Sequence, residues 1–138
     1  MNYQVEHIGI AVKDLKAGIG LYEKRLGSPC YKTELVDSEK VETAFFLQSH
    51  TKIELLASTD PQGVIAQFIE KKGEGLHHIA FEVPDIISEM ERLQKEGFRL
   101  LNETPKNGAD GKLICFVHPK DCNGVLIELC QSIELHNP

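Results

Sequence analysis

The chain has 138 residues, 41% hydrophobic and 26% charged, which suits one soluble globular domain with its own core and is too short for two. A formal charge of −6 offers no basic face for nucleic acid, and no apolar run approaches the roughly 18 residues of a membrane span. The start carries no signal-like segment, so a cytoplasmic protein is expected, and four cysteines without a CxxC pair read as buried, reduced thiols.

Residues 3–12 predict a strand. Asp14 stands where a helix N-cap belongs, and Leu15, Ile19, Tyr22 and Leu26 follow at three- and four-residue steps until Gly27 stops the helix. Strands are expected near residues 31–36, at 41–48 and at 52–56, the last two joined as a hairpin by a polar link over 48–51. Beyond Asp60-Pro61 and Gly63, the residues Val64, Ile65, Phe68 and Ile69 mark one face of a short helix that Gly73 and Gly75 close. A strand at 76–83 comes next. Asp85 then caps a helix with Ile86, Ile87, Met90 and Leu93 inward and Gly97 as its stop. Residues 98–101 read as a strand, 107–111 as a loop, 113–117 as a strand, 118–124 as a turn and 125–130 as the last strand, with a frayed tail after Ser132.

The chain is written twice. His7 in EHIGIAV and His78 in LHHIAFEV lie 71 residues apart, as do Asp14 and Asp85, while Glu54 in IELLAS and Glu128 in IELCQS lie 74 apart. Each copy reads β-α-β-β-β, which predicts an α+β fold of two βαβββ modules forming a curved mixed sheet around a metal site. The modules span about residues 1–58 and 74–135, with a linking helix at about 61–73, in a single domain over 1–138.

Side chains alternate along a strand, so His7 shares a face with Gly9 and Ala11, and His78 shares one with Ala80 and Glu82. Both histidines therefore stand above small residues, with branched and aromatic residues behind. His77 takes the opposite face. Glu54 and Glu128 are embedded in apolar runs, where an unpaired charge costs several kcal/mol unless a partner or a metal compensates. Together His7, Glu54, His78 and Glu128 suit one divalent ion in mixed nitrogen and oxygen coordination: cobalt, manganese, zinc, nickel or iron. Lys106, Lys112 and Lys120 flank the loop at 107–111 and the turn that follows, and form either a solvated rim or an anion clamp.

On these residues the chain resembles the vicinal oxygen chelate, or glyoxalase-like, superfamily. TKIELL, FIEKKGEGLHHIAFEV and GKLICFVHPKDCNGVLIELCQ narrow the resemblance to the methylmalonyl-CoA epimerases, over about residues 4–131. The resemblance places metal ligands on His7, His78 and Glu128, with Glu54 at a fourth position that is sometimes glutamine. It implies an isomerase, a homodimer, and an acyl-CoA substrate whose carbon between thioester and carboxylate is inverted through a metal-stabilised enolate. Its phosphates are expected on some of Lys106, Lys112 and Lys120.

Inversion needs proton carriers on both sides of the carbon, and Glu128 is expected to be one of them. Some members of the family place a glutamate where this chain has Thr43, beside Glu42. If Leu47 pairs with Lys52, Thr43 faces the metal; a three-residue link turns Glu42 there instead. Threonine is no base near neutral pH without an activating partner, so Glu42 is the expected second carrier. The rival readings are another metal enzyme on the same fold, a lactoylglutathione lyase or an extradiol dioxygenase, and a metal-free small-molecule binding protein.

Overall fold

The computed structural model describes residues 3–133. Residues 7–77 make one compact unit, and the chain from His78 onward, with the short segment before His7, makes the other.

Strand β1 (Gln4–Ala11) opens the chain and enters the first unit at His7. In α1 (Leu15–Leu26) the Asp14 carboxylate accepts the Ala17 N–H at 3.1 Å, and Gly27 ends the helix with φ 63°. Leu15, Ile19, Tyr22 and Leu26 press onto a patch of Ala44, Phe46, Leu55 and Ala57. Phe46 and Leu55 are fully buried there, each contributing about 1.5–3 kcal/mol. Gly18 permits the approach, because a Cβ on it would lie 3.3 Å from Leu55 Cδ1.

The remaining strands of this unit are β2 (Lys32–Val36), β3 (Val41–Gln48) and β4 (Thr51–Ser58), followed by α2 (Val64–Lys72). Their order is β2-β3-β4-β1, with β1 parallel to β4 and the other pairs antiparallel. Between β3 and β4 only Ser49 and His50 turn the chain, since Gln48 already pairs with Thr51. Ser49 takes φ 60°, as such tight hairpins demand. The register that results sets Leu47 against Lys52, Phe45 against Glu54 and Thr43 against Leu56.

The second unit repeats the plan with β5 (Gly75–Glu82), α3 (Ile86–Lys95), β6 (Lys106–Asn107), β7 (Lys112–Val117) and β8 (Ile127–Ser132), in the order β5-β8-β7-β6. Asp85 caps α3 by accepting the Ser88 N–H at 3.2 Å. Ile86 and Met90 of the helix pack with Val83, Cys115, Val117 and Leu129 in one buried cluster. Tyr3 ties the chain's first segment to this unit by donating its hydroxyl to Glu89, which also pairs with Arg92.

One element departs from the sequence reading. Residues 98–101 form no strand beyond a single bridge from Leu100 to Val117. The Asn102 side chain takes the Phe116 N–H at 3.0 Å, where a strand would have supplied a carbonyl, so the ladder stops and the edge strand forms later, at Lys106–Asn107. The tail expected after Ser132 falls, from residue 134 on, outside the described residues. All four cysteines are free; Cys115 and Cys130 are buried as expected, with burial pushing the Cys115 thiol up to about 11, whereas Cys30 and Cys122 are only half-buried. No helix among the described residues is long and apolar enough to cross a membrane.

Candidate metal centre

Each unit brings one histidine and one glutamate together. In the first, β1 and β4 run parallel with Gly9 beside Glu54, so His7 and Glu54 rise from the same face over a residue with no side chain. His7 Nε2 lies 3.6 Å from Glu54 Oε1. In the second, Ala80 on β5 pairs with Glu128 on β8, and Glu128 in turn faces Phe116 on β7. His78 Nε2 lies 3.7 Å from Glu128 Oε1, with the His78 ring edge-on to Phe116 at 6.2 Å between centroids. All four side chains are buried, and Glu128 Oε2 is shielded from solvent.

His7, Glu54 and His78 each offer a ligand atom, and these atoms all lie within 4.8 Å of one another. The two His–Glu spacings exceed an N–H···O hydrogen bond of about 2.7–3.2 Å. They come close to the separation of atoms sharing one ion, because ligands about 2.0–2.2 Å from a metal stand roughly 3.0–3.6 Å apart at tetrahedral or octahedral angles. Burying carboxylates costs several kcal/mol each without such compensation. The donor set therefore fits a single divalent cation, and imidazole with carboxylate favours a first-row transition ion or zinc over calcium.

The other expected site residues fall in different places. Lys106 is exposed, and its ammonium lies over the Phe116 ring at 5.5 Å from the centroid, on the face that carries Glu128. Lys120 is exposed in the turn after β7, where its backbone N–H donates to His118 Nδ1 at 3.1 Å. His77 packs edge-on against Phe68 of α2, away from the ligand face as expected.

Two assignments are corrected. Glu42 does not face the site: the two-residue turn puts it opposite Ala57 and Leu35, on the α1 side of the sheet, where it is exposed. Thr43, 1% exposed, shares the face of Glu54 in its place. Lys112 is no rim residue either. It is buried, bonding Glu82 Oε2 at 3.0 Å and Ser132 Oγ at 2.6 Å, with Glu6 Oε2 at 3.9 Å. Burial alone would raise the Glu82 carboxyl, but the bonds from Lys112 and Ser132 outweigh it and hold its pKa below the ordinary value.

Sequence reasoning passed over three residues on the ligand-bearing face of the first unit. Lys52 lies beside His7 in the parallel pair, and Lys32 and Glu34 pair with Phe45 and Thr43. Carrying the two-residue count outward from Glu54 through Phe45 to the next strand would have reached them.

Residues 6–116 match the model of the Glyoxalase/Bleomycin resistance protein/Dioxygenase superfamily, and the chain belongs to that family. Within it, the chain is 41% identical to the ethylmalonyl-CoA/methylmalonyl-CoA epimerase of Cereibacter sphaeroides, over 93% of its own length and 97% of the relative's. The crystal structure of methylmalonyl-CoA epimerase from Mycobacterium tuberculosis superposes with a TM-score of 0.90 at 37% identity, over 94% of this chain and 88% of that one. A methylmalonyl-CoA epimerase in complex with methylmalonyl-CoA and ammonium gives 0.91 at 33% identity, over 100% of both chains.

Proposed function

We propose that the protein interconverts the R and S forms of methylmalonyl-CoA. The observation that carries this reading is the buried His7, Glu54 and His78 cluster, in a chain similar to such epimerases over nearly its whole length. The difficulty of the reaction is a carbon acid whose enolate is unstable in water. A divalent ion in this site supplies Lewis acidity to the oxygens on which that charge develops.

The protein's own groups do the rest. His7, Glu54, His78 and Glu128 would hold the ion. Glu128 sits beside Ala80 and Phe116, a small and an aromatic neighbour. Its shielded Oε2 is the atom positioned to hold or release a proton on that side. Lys106 presents positive charge beside Phe116 and is the lysine best placed to meet an anionic group of an acyl-CoA, with Lys120 as a second, exposed candidate. Lys112, with its ammonium taken up by Glu82 and Ser132, leaves that role. The reading includes a homodimer, which sedimentation at micromolar protein tests.

The decisive experiment incubates the metal-loaded protein with one enantiomer of methylmalonyl-CoA in D2O. Epimerase action places deuterium on the carbon between thioester and carboxylate and produces the other enantiomer. A loaded protein that does neither ends this reading, and would turn attention to lyase or dioxygenase chemistry on the same ligands.

A further inference from the structure

Each carboxylate ligand has an aromatic ring as its partner in the strand ladder. Phe45 on β3 lies opposite Glu54 on β4, and Phe116 on β7 lies opposite Glu128 on β8, both in antiparallel pairs. Paired residues share a face and their Cβ atoms stand about 4.5–5.5 Å apart, so each ring neighbours its glutamate inside one unit. A lysine from the next strand outward covers each ring. Lys32 Nζ on β2 lies 5.7 Å from the Phe45 centroid, and Lys106 Nζ on β6 lies 5.5 Å from the Phe116 centroid. Both fall inside the reach of a cation–π contact, about 6 Å.

Both halves of the duplicated chain carry this arrangement. Phe45 and Phe116 lie 71 residues apart, the spacing of His7 and His78, while Lys32 and Lys106 lie 74 apart, the spacing of Glu54 and Glu128. The other neighbours of the rings differ: Tyr31 packs on Phe45 at 6.3 Å between centroids, whereas the His78 ring itself stands edge-on to Phe116. What the halves share is a ring held between a lysine and a buried glutamate. A phenyl ring offers no donor that would occupy the carboxylate oxygens, and its bulk denies the carboxylate positions to which it could swing. The apolar shell around a metal site governs the access of water to its ligands.

We propose that Phe45 and Phe116 are positioning residues of the metal centre: each ring confines the carboxylate beside it, Glu54 or Glu128, shields it from water, and so sets the affinity for the divalent ion. Neither ring is a ligand or a proton carrier, since a phenyl group has no lone pair and no acidic hydrogen. Cutting a ring back to leucine opens space beside the carboxylate, which then gains rotamers and hydration. Both must be given up again when an ion binds, so the ion is held less tightly. The proposal rests on the ligand set alone and holds whichever reaction the centre serves.

The test loads the full-length protein with Co2+ and titrates it with a chelator, reading the Kd and the visible absorption of the bound ion in wild type, Phe45→Leu and Phe116→Leu. Two further leucine variants are controls for lost packing. Phe46→Leu on β3 removes a fully buried ring that faces Tyr22 of α1, and Phe81→Leu on β5 removes one paired with Leu129, on the face away from Glu128. Phe45→Leu and Phe116→Leu should each raise Kd about 10–100-fold and shift the visible band. The controls should melt earlier than wild type yet bind Co2+ within a few-fold of it. Phe116 is only half-buried, so its variant decides the question if Phe45→Leu does not fold. An unchanged Kd in a folded Phe116→Leu overturns the proposal, and so does an equal rise in the controls, which would mark a general loosening of the sheet. A wild-type protein that takes up no Co2+ overturns the metal centre and this inference with it.

Discussion

Replacing Lys112 by Met separates a structural lysine from a binding one. Its ammonium is buried and bonded to Glu82 and Ser132, with Glu6 3.9 Å away. Removing one partner of a buried ion pair costs about 3–5 kcal/mol, because the remaining charge is stranded. The Glu82 side chain is 31% exposed, so water recovers part of this, and the expected loss is about 2–4 kcal/mol. For a chain of this size that lowers Tm by about 6–16 °C. The Glu82 pKa is depressed in the folded protein, so its contribution is complete above the ordinary value of 4.5 and is lost as pH falls through the folded value. The Tm gap between wild type and Lys112→Met should accordingly shrink in acid. Circular dichroism melts across pH, with KM for the acyl-CoA measured at neutral pH, test both halves. A variant that melts within 2 °C of wild type by the same measurement (about 0.5 kcal/mol) but shows a raised KM would return Lys112 to ligand binding and refute the assignment.

Glu128→Gln should lower bound metal, measured by elemental analysis of the purified protein, and reduce turnover at least about a hundredfold. Glu42→Gln should turn over near the wild-type rate, since Glu42 lies opposite Ala57 on the α1 side; a large fall in kcat with metal retained would contradict the strand register. Gly108→Ala should cost about 1–3 kcal/mol in denaturant melts, because the new Cβ would sit 2.9 Å from two carbons of Ile114. Asp121 is held by Arg99 at 2.8 and 3.0 Å, and its carboxyl is driven down to about 2 from 3.8. Its stabilisation is present above the ordinary value and is lost as pH falls towards 2, so the Tm of Asp121→Asn should vary less than that of wild type across that interval.

The duplication, the two Asp caps, the glycine stop after the first helix and the four buried ligand candidates were legible in the amino-acid order alone. Each is a local pattern: a histidine over small residues, a carboxylate inside an apolar run, a cap followed by a helical period. These patterns persist whatever the rest of the chain does, and they delivered both the fold and the His–Glu pairs. Register and reach were different in kind. Whether Glu42 or Thr43 shares the face of Glu54 depended on one residue of turn length, and the two-residue turn at Ser49 and His50 decides for Thr43, because a shift of one reverses every side chain on a strand. Lys112 looked like its neighbours Lys106 and Lys120 because a loop sequence carries no mark of burial. Only the folded sheet brings Glu6, Glu82 and Ser132 to its ammonium from segments between 20 and 106 residues away in the chain. Phe116 was hidden for the same reason: its nearness to Glu128 is a cross-strand relation, and pairing between strands is written in hydrogen-bond register rather than in spacing along the chain.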